Sequence, residues 1–353
     1  MRTFDGYEKG VDLGGWLSQC GKNYTEEHYS TFITQKDIDR IASWGCDHVR
    51  LPVDYNVVQT ENGEFIESGF RHIDDCIRWC KEKNMKIVLD LHKTCGYVFD
   101  DASYCSFFTD ERLQEMFISL WMEFTRRYKD NPDIAFELLN EVTDPSTATP
   151  WNRIAAKTIQ QIRSVTATKK IVIGGIYNSS IYGLTLLDAP VDENIVFTFH
   201  CYSPMVFTHQ DAPWVAAMPK GYRISYPLPL PDMQKASFEV FGPDFDGEFT
   251  AFSEKLKAEG KDPNTALLSA TFFEAIFADA IRVAEKYNVP LYCGEYGVIE
   301  RADRDSTLAW YQSIHAALDA HKIARSAWSY KQMDFGIVDS LNDNIRDEII
   351  KCL

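Results

Sequence analysis

The sequence has no run of apolar residues approaching the roughly 18 that a membrane-spanning helix requires, so no transmembrane segment is expected. Its opening stretch, Met1 to Gly10, is polar and charged and lacks the apolar core of a secretory signal. Positive charge is also scarce: 36 Lys and Arg stand against 52 Asp and Glu, a net charge of −16. Phosphate backbones and anionic membrane surfaces repel such a chain. This excludes a nucleic-acid or membrane partner and points to a neutral or cationic one. Metal-binding patterns are missing as well, with no CxxC, HxH or HExxH and no Cys/His cluster at zinc spacing, so no metal is expected. Neither GxGxxG nor a Walker sequence occurs, since Gly14-Gly15 and Gly174-Gly175 fit neither pattern, and no cofactor is indicated. The nine cysteines are an odd number and cannot all pair within the chain. Cys46, Cys76 and Cys80 read as small buried hydrophobes. Cys95 and Cys105 flank one loop, where an oxidising compartment could join them.

What the sequence does have is 45% hydrophobic residues, enough to build a large core, which rules out disorder. Short apolar runs at 11–17, 48–53, 86–92, 134–142, 170–175, 195–202, 291–298 and 324–330 suit strands buried on both faces. Between them, 36–45, 70–83, 111–128, 153–165, 272–287 and 307–320 carry apolar residues at helical spacing. Asp37 and Asp110 stand where helix caps belong, and Gly45 or Asn84 where helices stop. Strands alternating with helices predict a parallel (β/α)8 barrel, a single domain over residues 1–353. A doubly wound sheet is the rival, but it needs a glycine-rich turn after its first strand, and Gly14-Gly15 fall inside the expected strand.

One connection is far longer than the rest. Residues 205–265 hold seven of the 14 prolines together with Trp214, Tyr222, Tyr226, Phe238 and Phe241. The run Tyr226-Pro-Leu-Pro-Leu-Pro231 is expected to be neither regular helix nor central strand. This insertion follows the C-terminal end of the sixth strand, the rim where barrel enzymes build their sites, and is expected to wall a cleft or to be a surface loop packed by its own aromatics.

The same rim gathers Arg50, Asp54, His92, Asn140, Glu141, His200, Tyr202, Glu295, Tyr296 and Trp328. Glu141 closes Ile134-Ala-Phe-Glu-Leu-Leu-Asn140, and Glu295 closes Pro290-Leu-Tyr-Cys-Gly294. A buried glutamate without a partner costs several kcal/mol, so two of them at one rim argue for chemistry. A facing carboxylate pair suggests glycosidic bond cleavage, in which one carboxyl donates a proton and the other stays ionised. Arg50 is placed to hold Glu295 as an anion, while a less cationic setting keeps Glu141 protonated. Asn140 can donate to a sugar 2-hydroxyl, and Trp328 offers an apolar floor for a pyranose ring.

These motifs resemble glycoside hydrolase family 5, a clan of retaining β-glycanases with cellulases and mannanases among them. The resemblance runs through Gly10-Val-Asp-Leu-Gly-Gly-Trp16, His48-Val-Arg-Leu-Pro52, Leu89-Asp-Leu-His92 and Phe136-Glu-Leu-Leu-Asn-Glu141. It continues through Phe199-His-Cys-Tyr-Ser-Pro204, Gly294-Glu-Tyr-Gly-Val298 and Trp328-Ser-Tyr-Lys331. It implies Glu141 as acid/base and Glu295 as nucleophile, with Arg50 and Tyr202 hydrogen-bonded to the nucleophile and His200 orienting the acid/base. His92 and Asn140 would bind the sugar in the −1 subsite, with Trp328 beneath it. A carboxyl separation of about 5–5.5 Å is the corresponding expectation. Two places depart from the family pattern: Val142 stands where proline commonly follows Asn-Glu, and Lys93-Thr-Cys-Gly96 replaces a Pro-Gly turn.

The activity expected is an endo-β-1,4-glucanase, a cellulase acting by double displacement on a neutral β-glucan. Tyr24, Tyr29, Tyr97, Tyr104, Trp151, Tyr177 and Trp214 are candidate stacking residues along its cleft. Leu13-Gly-Gly-Trp-Leu17 also resembles the exo-β-1,3-glucanase branch, and xyloglucanase, mannanase and xylanase activities belong to the same family. A silent barrel acting as a carbohydrate-binding module is the alternative from another class, which the intact glutamate pair opposes. A monomer is expected, and a secreted or cell-surface location follows from a polymeric substrate. Asn23-Tyr-Thr and Asn178-Ser-Ser match glycosylation acceptors.

Overall fold

Apolar runs buried along nearly their whole length pair in parallel, in chain order, until the last meets the first. In the computed structural model, which describes residues 1–99, 101 and 105–353, the strands are β1 (Lys9–Asp12), β2 (His48–Asp54), β3 (Lys86–Lys93) and β4 (Ile134–Glu137). They continue as β5 (Ile171–Gly174), β6 (Ile195–His200), β7 (Leu291–Glu295) and β8 (Ala324–Ala327). β8 returns to β1 with Val11 opposite Ala327, which closes the barrel expected from the alternation.

Parallel neighbours need crossovers, and helices supply most of them. Gln35–Ser43, Glu67–Glu82, Glu111–Tyr128, Ala148–Arg163, Ala270–Tyr287, Arg304–Ala320 and Arg346–Cys352 line the outside. Each turns an apolar stripe inward. In Glu111–Tyr128 the stripe is Leu113, Phe117, Leu120, Trp121 and Phe124, all buried at three- and four-residue steps. Asp110 caps that helix, accepting from the backbone N–H groups of Arg112 and Leu113. Asp37 does not cap its helix as expected. Thr34 is the cap, and Asp37 completes a reciprocal capping box from the third helical position. Between β5 and β6 the crossover holds only two short elements, the single turn Ile176–Ser179 and the 3₁₀ turn Tyr182–Leu186. No helix of the described residues is long and apolar enough to cross a membrane.

Alternation along the strands sets what fills the barrel. Phe4 and Tyr7 stack at 4.2 Å and plug its lower end against Val88, Ala135, Val172, Val196, Tyr292 and Ala324. Two residues further up the strands, on the same inward face, stand Asp90, Glu137 and Ser326. An apolar layer therefore lies directly below a polar one.

Several strands end earlier than expected. β1 spans residues 9–12 and not 11–17, so Gly14-Gly15 lie beyond it; β4 and β8 stop at Glu137 and Ala327, short of Glu141 and Trp328, and β6 and β7 stop at His200 and Glu295, not at 202 and 298. The insertion is also more regular than its prolines suggest. It contains helices Leu230–Phe241 and Asp246–Ala258, with Pro231 in the first turn of the former, where no N–H is needed. Phe249 and Phe252 pack on Phe272 of the barrel helix that follows. The indole N–H of Trp310 donates to the Ser203 carbonyl at 2.9 Å, tying the root of the insertion to the helix after β7. Cys95 is buried, Cys105 is exposed, and both are free thiols, so the bridge considered from sequence is not formed.

Candidate active site

At the base of the upper rim lies Arg50, fully buried in β2. A buried guanidinium demands carboxylate partners, and it has them on four other strands. Its Nε and Nη2 donate to the two oxygens of Glu137 at 2.7 and 3.1 Å. Nη1 reaches Glu295 Oε1 at 2.8 Å and Asp12 Oδ2 at 3.5 Å. Nη2 also donates to Asn140 Oδ1 at 2.8 Å and lies 3.1 Å from Asp90 Oδ2. Burial pushes the carboxyls of Asp12 and Glu137 up, against the pull of Arg50, and raises Asp90 to about 7 for the same reason. Asp12, Asp90 and Glu137 were not singled out from sequence. Their signal is an acidic residue flanked by apolar ones inside a strand, as in Val11-Asp12-Leu13, Leu89-Asp90-Leu91 and Phe136-Glu137-Leu138.

Above the arginine the two glutamates face each other. One oxygen of Glu141, one of Glu295 and a ring nitrogen of His200 all lie within 4.8 Å of one another. Glu295 ends β7, and its two oxygens are held separately, Oε1 by Arg50 and Oε2 by the Tyr202 hydroxyl at 3.0 Å. Burial, and then the negative charge of Glu295, lift the Tyr202 phenol well above its ordinary range, so it stays a donor. Glu141 is in a different setting. His200 Nδ1 lies 2.8 Å from its Oε1, and the Asn178 amide donates to its Oε2 at 3.0 Å. Burial dominates there and raises Glu141 to about 7, with Asn178 and Arg50 opposing the rise. Desolvation also depresses His200, keeping it neutral. The carboxylates facing Nδ1, Glu141 and, at 3.6 Å, Glu295 Oε2, assign its proton there.

His92 and Trp328 form the opposite side. The rings stack at 5.8 Å with 7° between planes. His92 Nδ1 is held by Asp90 Oδ2 at 2.7 Å, and its Nε2 has no protein partner among the described residues. Burial lowers the imidazole to about 3, so it is neutral. Trp328 is 6% exposed and packs with Ala212, Ile299 and Phe335. Gly14 makes room for the indole, since a Cβ there would stand 2.8 Å from Trp328 Cη2. The insertion contributes too: His209 packs edge-on to Tyr202, and the half-exposed Trp214 lies 6.3 Å from His209 and 6.4 Å from Phe335.

The rim thus brings together Arg50, His92, Asn140, Glu141, His200, Tyr202, Glu295 and Trp328. Tyr296 is not among them. It points outward into the core, where its hydroxyl meets His315 Nε2 at 2.9 Å. Asp54 serves the loop after β1, accepting from Ser18 Oγ at 2.7 Å, the Gln19 backbone at 3.0 Å and the Tyr24 hydroxyl. Of the other aromatics proposed for a cleft, Tyr97 and Trp151 are buried core residues, while Tyr177 is 51% and Trp214 50% exposed. Tyr29 is partly buried against the core, and Tyr104 lies outside the described residues. Asn178, read in the sequence only as a glycosylation triplet, is a direct neighbour of Glu141.

Comparison with known proteins places the chain in a family. The profile described as "Cellulase (glycosyl hydrolase family 5)" matches residues 7–334. Cellodextrinase A of Ruminococcus flavefaciens is 38% identical over 322 residues, 91% of this chain and 84% of that protein. Endoglucanase C of Acetivibrio thermocellus is 36% identical over 357 aligned positions, covering 98% of each chain. Among solved structures, endoglucanase Cel5A of Thermotoga maritima superposes with a TM-score of 0.73 at 23% identity, over 99% of this chain and 97% of its own, a likeness of fold. The chain belongs to glycosyl hydrolase family 5.

Proposed function

We propose that this chain is a retaining endo-β-1,4-glucanase with Glu141 as acid/base and Glu295 as nucleophile. The observation that carries the reading is the close approach of the two carboxyls, with oxygens within 4.8 Å, in opposed environments. A retaining mechanism calls for about 5–5.5 Å between carboxyl groups, whereas an inverting one needs roughly 6.5–9.5 Å to admit a water. Glu141, raised to about 7 by burial, is protonated in neutral solution often enough to protonate the departing glycosidic oxygen. Glu295, held by Arg50 and Tyr202, attacks the anomeric carbon and forms a glycosyl ester. The Glu141 carboxylate left behind then takes a proton from water, which attacks the same carbon and frees Glu295 with net retention.

The supporting residues follow from their partners. Asn140, with its oxygen turned to Arg50, offers its Nδ2 hydrogens to a sugar 2-hydroxyl. His92 presents the nitrogen that Asp90 leaves free, and Trp328 gives the ring an apolar floor. Trp214, brought back by the insertion, supplies a second aromatic platform further along the cleft. A polymeric, uncharged substrate suits the net charge of −16 and a secreted or cell-surface setting.

Action on short cellodextrins is a second reading, favoured by the name of the Ruminococcus relative. Products from cellulose, cellotetraose to cellohexaose, mixed-linkage glucan, laminarin and mannan separate the two. Early release of mixed oligosaccharides from polymer supports the endo reading, and activity confined to oligomers supports the other. Proton NMR of the first product tests the stereochemistry, and an α-anomer appearing first sinks the retaining mechanism.

A further inference from the structure

The segment after β5 is folded in an uncommon way. Tyr177, Asn178 and Ser179 are consecutive and all left-handed, with φ of 66°, 56° and 51°. Asparagine tolerates that region, but a run of non-glycine residues in it persists only where the surroundings hold it. Here the hold is on the residues around Glu141. Ser179 Oγ donates to the Asn140 carbonyl at 3.0 Å, and the Asn178 backbone N–H donates to the Val142 carbonyl at 3.4 Å. Val142 bridges Ile176, and Gly174 sits so close that a Cβ would stand 3.0 Å from the Asn140 carbonyl oxygen. The segment therefore grips residues 140 and 142 and lays the Asn178 amide on the carboxyl between them.

We propose that Asn178 is a positioning residue for Glu141, its amide N–H holding Oε2 and favouring the carboxylate that activates water in the second half of the reaction. This rests on the reading of Glu141 as acid/base. An amide nitrogen only donates, and a donor stabilises a carboxylate more than a carboxylic acid. Asn178 thereby opposes the burial that keeps Glu141 protonated. The other groups bearing on that carboxyl are His200, Arg50, Glu295, Asp90 and Tyr202, all on or beyond other strands. Burial supplies the acid needed first, and Asn178 supports the base needed second. The Asn178 side chain is committed to this contact, so a glycan on the Asn178-Ser-Ser triplet would cover the acid/base.

The test uses Asn178→Gly, which keeps the left-handed backbone and removes only the side chain, and Asn178→Asp, which keeps the shape and reverses the electrostatics. On 2,4-dinitrophenyl β-cellobioside, whose leaving group needs no acid, N178G should lower kcat about 5–10-fold and leave kcat/KM within about twofold. On cellotetraose the alkaline limb of kcat/KM should rise by about 0.5–1 pH unit, and further in N178D. A limb that stays in place in both variants, or kcat and kcat/KM falling together at every pH, overturns the proposal. Glu141→Ala with azide separates this from the underlying reading. Rescue of turnover on the activated substrate as a β-glycosyl azide supports Glu141 as acid/base whatever the Asn178 variants do. Absence of rescue overturns Glu141 itself.

Discussion

Replacing Glu141 by glutamine should make the protein less active and, above neutrality, more stable. Burial raises the Glu141 carboxyl from its ordinary 4.5 to about 7. The folded chain thus binds that proton more tightly than the unfolded one. The stabilising effect of the protonated carboxyl is complete below the ordinary value and is lost as pH rises through 7. Above pH 8 the folded protein must carry a buried carboxylate. A displacement of about 2.5 units at about 1.36 kcal/mol each makes this cost about 3 kcal/mol. The side chain is 13% exposed, and screening reduces the figure to about 2–3 kcal/mol. The amide of the E141Q variant has no such proton to lose. For a chain of 353 residues, an unfolding entropy of about 2.1 cal/mol/K per residue converts that gain to about 3–4 °C in Tm. Calorimetry at pH 5 and pH 8.5 should therefore find the two proteins nearly equal at the first and E141Q ahead at the second. Asp90, also raised to about 7, titrates in both proteins and largely cancels. A difference in Tm that does not change with pH, or an E141Q protein less stable at pH 8.5, refutes the reasoning.

Glu295→Gln should lower turnover of cello-oligosaccharides by at least about 10³-fold while titration calorimetry still detects binding, and substantial residual activity removes it from the nucleophile role. Gly14→Ala pushes a Cβ to within 2.8 Å of the Trp328 ring. It should raise KM for cellotetraose, shift tryptophan fluorescence and cost about 1–3 kcal/mol in urea unfolding; an unchanged KM would show that the indole position is not held by Gly14. Arg50→Leu leaves Asp12, Asp90, Glu137 and Glu295 without their common cation. It should lower stability by about 3–5 kcal/mol, and a variant that melts like the parent would contradict the pairing described here.

The barrel was legible because burial on both faces writes itself as apolar runs, and its ends were less so because apolarity reports burial and not pairing. Leu13, Trp16 and Leu17 are buried over the mouth of the barrel, as are Leu138 and Leu139 after β4, yet none belongs to a strand. The same excess stretched β1 and β4 in the sequence reading. Prolines at 227, 229 and 231 read as incompatible with helix, whereas the last of them opens one, since a first turn has no partner for its N–H groups. Glu141 and Glu295 were visible as carboxylates closing apolar runs, though only Glu295 ends a strand, and family resemblance named their neighbours. Asp12, Asp90 and Glu137 were missed because nothing in a linear pattern says that acids so far apart share one arginine. Asn178 was missed because three left-handed residues in a row leave no mark in composition or periodicity.

The partners of Arg50 have a bearing on how the chain reaches its fold. Asp12, Asp90, Glu137 and Asn140 all come from β1 to β4 and the turn after it, whereas Glu295 arrives only with β7. Synthesis runs from the N-terminus, so the buried cation meets its countercharges while half of the barrel is still to be made. A half-barrel is then not left with a lone guanidinium in an apolar interior, a state that would otherwise oppose its collapse. Glu295 joins an arginine already neutralised, and the last strands close onto an interior whose charge is settled before they come.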